Sequence, residues 1–408
     1  MTELGISLPL SPRRVAEQLL SNRWGHPVRL GEPDHLSTGA RASVSRYRVQ
    51  DGPSTAPPTV ILKHVRASAD VPYTPDRSSI PAWTFLNDWA GTQFLGDLPE
   101  TAGLGPQFYA GDRAAGLLIV EDVGPGRGLD QILLGADPEV AEDALVAFAA
   151  AHGRLHAATL GQQAAFADRR AALGPPAFIT DFYAFRWPAA TFHAMADALR
   201  MDVGRAVDTD LRRLSAVLGQ PGPFLAYTHG DACPDNALWT AHGLRLIDFE
   251  SGLFAHAFRD GVYGQILFST CWCVSRAPPP IAQRMERAYR EALATRCAEA
   301  RDDRPFYRAL VEGCAMQALE LCYDVPLGDV LREDQQDGIA TLRQRVLQRL
   351  AIVAHVTNEH SHLQAIGESM GKMAATLRPL WSPDAATMPL YPAFRGDSAL
   401  PRVEESPA

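Results

Sequence analysis

Short apolar runs separated by turn-forming residues occupy the first part of the chain, and that pattern predicts strands. The runs are Val28–Leu30, Val44–Val49 and Thr59–Val65, the last two joined by DGPSTAPP as a hairpin. A further strand fits Gly116–Glu121, ahead of Val123-Gly-Pro-Gly. Two helices accompany them: one opened by Ser11-Pro12, and Pro81–Leu98 with Phe85, Trp89, Phe94 and Leu98 toward one face. From Asp137 onward the period becomes helical, over Pro138–Leu160, Ile179–Arg200, Arg205–Leu218 and Ile281–Ala300. It continues over Arg304–Tyr323, Arg332–Val356 and Ser361–Leu380. Only Pro223–Thr228 and Leu244–Phe249 interrupt it with strand character. The expected organisation is α+β, with a small antiparallel sheet in residues 1–122 and a mostly helical part in 123–408. A hinge is expected at Asp122–Gly126, and mobility over the last ten residues.

Composition narrows the classes. The 408 residues are 46% apolar and 21% charged, which suits a folded globular chain. No run approaches the ~18 apolar residues of a membrane span, and the N-terminus lacks the charge order of a secretory signal. A cytoplasmic protein is therefore expected. The net charge of −9 argues against nucleic acid as partner and favours cationic ones, metal ions and a small acceptor included. Six cysteines with no Cys-x-x-Cys pair predict reduced thiols and no structural zinc site. The only lysines are Lys63 and Lys372, so a lysine inside the apolar run TVILKHV stands out.

The chemistry concentrates in FLAYTHGDACPDNALWTAHGLRLIDFESG, residues 224–252. One apolar run ends in His229-Gly230-Asp231 and the other in Asp248, with Asn236 between them. A turn that bends back between two strands would bring Asp231, Asn236 and Asp248 to one end of a small ribbon. Hard divalent cations take such oxygen donors, and phosphoryl transfer needs them together with one carboxylate beside the attacking hydroxyl. Taken alone, HGDACPDN is also what a turn rich in Asp and Asn looks like.

His229-Gly-Asp-x-x-x-x-Asn236 followed by Ile247-Asp248-Phe249-Glu250 resembles the catalytic and metal loops of the aminoglycoside phosphotransferase and choline kinase superfamily. That resemblance implies a two-lobed protein-kinase-like fold, ATP and Mg²⁺, and a small-molecule hydroxyl as phosphoryl acceptor. An antibiotic such as an aminoglycoside, a sugar or an amino alcohol would each serve. It implies that Asp231 is the base, that Asn236 and Asp248 hold magnesium, and that His229 supports the loop. Lys63 would grip the nucleotide phosphates, with Asp88 as its ion-pair partner in place of the usual glutamate. Glu121 and Val123 would offer backbone groups to adenine, and Ser37, Thr38 and Gly39 would cover the phosphates. Asp260 would brace the catalytic loop, His156 would pack, and Cys271-Trp272-Cys273 is expected to pack rather than border a pocket. The absence of Asp-Phe-Gly and Ala-Pro-Glu argues against protein substrates. An idle nucleotide-binding regulator of the same fold is the alternative, and a helical scaffold would leave Lys63 and the Asp231, Asn236, Asp248 trio without a purpose.

Overall fold

The computed structural model describes residues 11–38, 42–66, 73–76, 79–174, 187–266, 271–382 and 387–396. The chain divides into two compact units. The first comprises Met1–Gly124 together with Ala164–Thr180 and Ile247–Gly252, and the second the remainder.

The first unit opens with α1 (Pro12–Trp24), followed by β1 (Arg29–Thr38), β2 (Ala42–Asp51) and β3 (Thr59–Val65). Then come α2 (Ile80–Gly96), β4 (Phe108–Asp112) and β5 (Leu117–Glu121). The five strands form one antiparallel sheet in the order β1-β2-β3-β5-β4. Its two faces follow from alternation along the strands. Val60, Leu62, Leu117 and Ile119 pack with α1 through Ala16 and Leu20, whereas Ile61, Leu118 and Val120 pack with Phe85 and Leu86 of α2. Ser79 caps α2 by accepting the Ala82 N–H, and Pro81 sits in its first turn. β1 runs well beyond the expected Val28–Leu30. Its register shifts around Pro33 explain why no regular alternation marks it in the sequence.

In the second unit, β6 (Gly126–Gly128) and α3 (Leu129–Leu133) lead to the long α4 (Pro138–Thr159). After α5 (Gln163–Ala172), most of which counts with the first unit, come α6 (Trp187–Ala198) and α7 (Arg205–Gly219). The start of the helix expected from Ile179 lies outside the described residues. β7 (Leu225–Thr228), β8 (Ala237–Thr240), β9 (Gly243–Leu246) and β10 (Leu253–His256) follow. The helices α8 (Phe258–Gly261), α9 (Pro279–Leu293), α10 (Asp303–Asp324) and α11 (Leu327–Arg332) come next. A short hairpin of β11 (Gln336–Asp337) and β12 (Ala340–Thr341) precedes α12 (Leu342–Glu359) and α13 (Gln364–Leu377).

Two expectations are corrected here. The strand that ends before His229 does not pair with the strand that ends before Asp248. β7 pairs with β10, while β9 pairs with β8, a strand of four residues that the sequence reading passed over as turn. The span read as one helix over Arg332–Val356 is broken as well. Gly338 takes φ +64°, which the Asp337-Gly338 turn requires, and Thr341 then opens α12 with a reciprocal capping box to Gln344. The last ten residues lie outside the described ones, but Tyr391 upstream of them is fully buried, its N–H bonded to the Arg276 carbonyl at 2.9 Å.

Candidate active site

Lys63 stands on β3, in the middle of the first unit's sheet, opposite Leu118 of β5 and Val44 of β2. Apolar neighbours leave its ammonium few directions. The group meets two carboxylates: Asp88 Oδ2 at 2.7 Å and Asp248 Oδ1 at 2.9 Å. Asp88 lies on α2, so the one-methylene-shorter replacement for glutamate does reach its partner. Its other oxygen accepts the Phe249 N–H at 3.0 Å, and Thr92 donates to it at 3.4 Å. Asn87, next on the helix, donates to the carbonyls of Glu250 and Gly252 at 2.9 and 2.6 Å. These contacts fasten Asp248-Phe-Glu-Ser-Gly to α2. Asp248 itself sits at φ +67° and ψ +69°, a left-handed conformation that aspartate tolerates and that turns its carboxylate out of the strand path.

The charges do not balance within this cluster, which has one ammonium for two carboxylates. Burial alone would discharge Lys63, but Asp248 and Asp88 outweigh it and hold its pKa above the ordinary lysine value. Burial, with the Asp248 carboxylate beside it, raises Asp88, while Lys63 opposes that. The surplus negative charge and the hard oxygen donors suit a cation.

In the second unit, β7 delivers Thr228 to a loop whose Gly230 takes φ +79°, so that the chain turns immediately before Asp231. The His229 N–H donates to Asp260 Oδ2 at 2.6 Å, and His156 Nε2 stands 3.5 Å from the same oxygen. Burial would raise Asp260, yet His156, with His152 and His229 nearby, holds it below the usual carboxylate range. Asp260 thus braces the loop as a buried anion. Asp231 is half-buried. Asn236 donates its amide to the Asp231 carbonyl at 2.9 Å and more loosely to Oδ2 at 3.4 Å. That spends the amide nitrogen and fixes the direction of the amide oxygen. Because Ala237 pairs with Leu246, Asn236 precedes and Asp248 follows the same end of the β8–β9 hairpin along the chain.

Asp231 also borders a small depression of about 20 Å³, with Gly230, Arg259, Tyr263 and Glu320 among its lining. Arg259 donates to Glu320 at 2.9 Å, and Gln317 donates to the Arg259 carbonyl. Cys271 lines the depression too, and it is disulfide-bonded to Cys233. The bond corrects the sequence reading that took all thiols as reduced, while Cys271 is buried as expected of packing and borders the depression as well. Cysteine spacing carries no information about a pairing 38 residues apart, made only when two loops converge. Cys273, by contrast, packs in the interior.

Of the nucleotide-site candidates, Glu121 ends β5 and exchanges hydrogen bonds with Gln107. Its N–H donates to the Gln107 carbonyl at 2.8 Å, and its carboxylate accepts the Gln107 N–H at 3.0 Å. Val123 follows in the link that Asp122 pins to Arg46 at 2.6 Å. Ser37 and Thr38, expected to cover phosphates, end β1 opposite Val44 and Ser43. Gly39 lies outside the described residues. Sequence reasoning missed Asn87 and Thr92; their single legible signal is polar character on an otherwise apolar helix.

The model of the phosphotransferase enzyme family matches residues 100–310, just over half of the chain. Solved structures similar to the chain include a choline kinase from Cryptosporidium parvum, 12% identical over 86% of this chain and 89% of that one, TM-score 0.40. Another is a choline/ethanolamine kinase family protein from Mesorhizobium loti, 16% identical over 88% and 100%, TM-score 0.42. A third is the macrolide 2′-phosphotransferase MphH from Brachybacterium faecium, 16% identical over 77% and 97%, TM-score 0.38. A comparison with curated proteins gave no match. The architecture is α+β, with an antiparallel-sheet unit and a mostly helical unit. With a family match over half its length, this chain belongs to the phosphotransferase enzyme family.

Proposed function

We propose that the chain is an ATP- and Mg²⁺-dependent kinase that phosphorylates a hydroxyl of a small molecule, an aminoglycoside or other antibiotic, a sugar or an amino alcohol. The observation that carries the nucleotide half of this reading is the Lys63 ammonium, on a side chain 16% exposed, shared between Asp88 and Asp248. A lysine held charged and rigid in a sheet is what a phosphate chain needs as a partner. Asn236 and Asp248 are the residues that would hold magnesium; both offer hard oxygen donors, and the negative surplus around Lys63 fits a cation. When bound, the metal neutralises charge on the transferring phosphoryl group.

Asp231 accepts or orients the acceptor hydroxyl. Its carboxylate is half-exposed beside the depression, its backbone is tied by Asn236, and the preceding residue is tied to Asp260. Its contribution is position more than basicity, since charge and geometry rather than covalent chemistry dominate phosphoryl transfer. The Glu121 carbonyl and the Val123 N–H would meet the purine, and Ser37, Thr38 and Gly39 the phosphates. Asp231 on the depression's wall favours an acceptor that brings a hydrogen-bond donor, whereas Glu320 is engaged by Arg259.

A library of hydroxylated compounds incubated with the protein, ATP and Mg²⁺ tests this directly by mass spectrometry. The expected result is at least one product heavier by a phosphoryl group, dependent on both ATP and Mg²⁺. Binding of ATP without any phosphorylated product across antibiotics, sugars and amino alcohols would instead identify an idle regulator.

A further inference from the structure

The catalytic loop carries a covalent link that phosphoryl transfer does not require. Cys233 lies two residues beyond Asp231 and is bonded to Cys271, with a Cα–Cα distance of 5.7 Å that suits a disulfide. Both sulfurs and a carboxylate oxygen of Asp231 lie within 4.8 Å of one another. Cys271 is part of the wall of the depression beside Asp231, and at about 20 Å³ that space holds no more than about one water in the bonded form. The loop has ties of its own besides the bond. Asn236 ties to Asp231, the Asn236 N–H closes a turn on the Cys233 carbonyl at 3.0 Å, and Asp260 holds His229. What the bond adds is a tether that draws the Cys271 wall in against the base.

We propose that Cys233 and Cys271 are a reversible thiol–disulfide modification site that governs access of the acceptor to Asp231, with dithiols as the class of co-reactant. The proposal rests on the reading of Asp231 as the base. Attack by one thiolate of a dithiol breaks the Cys233–Cys271 bond and forms a mixed disulfide. The second thiolate then closes the reagent's own disulfide and releases the protein thiol. The protein gains two electrons and two protons, the dithiol loses the same, and oxidation is the reverse. As a residue Cys233 is half-buried, against a buried Cys271, so it is the less enclosed end of the bond. The other cysteines, Cys273, Cys297, Cys314 and Cys322, are buried. Burial raises each of their thiols above the ordinary value, so they compete poorly as partners. Trp272, beside Cys271, is exposed and donates its indole N–H to Asp235 at 3.3 Å, which provides an optical reporter of the tether.

The test equilibrates the full chain in reduced and oxidised dithiothreitol mixtures. Alkylation of the denatured protein, read by mass, should report four free thiols in the oxidised form and six in the reduced one. Tryptophan fluorescence should change between the forms, and the change should vanish in Cys233→Ser and Cys271→Ser. Reduction should raise kcat/KM for the acceptor by about tenfold or more, since an acceptor misplaced by ~1 Å costs up to ~10²-fold, and should leave ATP affinity unchanged. Neither serine variant should respond to the buffer. Six free thiols in the oxidising mixture, or equal acceptor kinetics in both forms, would overturn the proposal. If no acceptor turns over in either form, a fluorescence response lost in both variants upholds the tether and fails the catalytic reading instead; no response defeats the tether.

Discussion

On the proposed reading, Lys63 decides the chemistry of the nucleotide site because it is largely enclosed and matched against two carboxylates. Its replacement by methionine keeps most of the side-chain volume but leaves Asp88 buried with no cation beside it. Breaking a buried pair in this way costs ~3–5 kcal/mol, so Lys63→Met should unfold at clearly lower urea. Among molecules that remain folded, ATP affinity should fall by much more than adenosine affinity, because only the phosphates lose a partner. Calorimetric titration of both ligands reads this, and equal losses would remove Lys63 from the phosphate site. Asp88→Asn tests the other end. Lys63 keeps Asp248, so folding should suffer less than in Lys63→Met, and turnover should drop by ~10-fold or more if the ammonium loses its position. Unaltered turnover would make Asp88 a folding residue only. Lys63, Asp231, Asn236 and Asp248 were visible in the sequence through motif spacing. Asp88 was visible as the nearest acid on the next helix, but its reach was not, because a methylene's difference is settled by how closely helix and sheet pack.

Among elements, α4 shows how buried polar groups on a helix tune stability. His152 donates from Nδ1 to the Phe148 carbonyl at 3.0 Å, and its Nε2 is buried with no hydrogen-bond partner among the described residues. Burial pushes its pKa down to about 3. In the unfolded chain it takes a proton near pH ~6.5; in the folded one it refuses it until about 3. Its contribution is therefore complete above about pH 6.5 and is lost as pH falls, at ~1.4 kcal/mol per unit. Asp260 acts lower, losing its contribution only as pH drops through the usual carboxylate range and below. Urea unfolding at pH 7, 6 and 5 should show His152→Phe less sensitive to acid than the native protein by about that slope; parallel lines would refute the buried-neutral histidine. The long helices were legible because α7 carries a sustained amphipathic period and α4 and α10 open on the capping aspartates Asp137 and Asp302. Strand pairing was not. β7 and β9 are both short and apolar, and nothing local says that each finds a partner other than the other. The β11–β12 hairpin hid for a related reason, since its flanks have good helix formers and only Asp337-Gly338 marks the break.

For the whole molecule, a net charge of −9 sets a long-range field that both substrates meet. A cationic acceptor should show kcat/KM that declines as salt rises, because the Debye length shrinks from ~10 Å at 0.1 M to ~3 Å at 1 M. A neutral acceptor measured alongside should change little, and an equal decline for both would trace the effect to folding or nucleotide binding. The −9 balance was legible from composition, but no composition reveals that Cys233 reaches Cys271, because only the folded chain brings those loops together. Among the described residues no helix is long and apolar enough to cross a membrane. Turnover belongs to the whole chain, and Asp231→Asn interrogates it most directly. The substitution keeps shape and removes charge and proton affinity. With folding verified by circular dichroism and the same melting behaviour, kcat should fall by ~10²-fold or more, while ATP affinity, carried by Lys63 and its partners, stays within a few-fold. A folded Asp231→Asn protein that phosphorylates its acceptor at the native rate would contradict the assignment of Asp231 as the catalytic base.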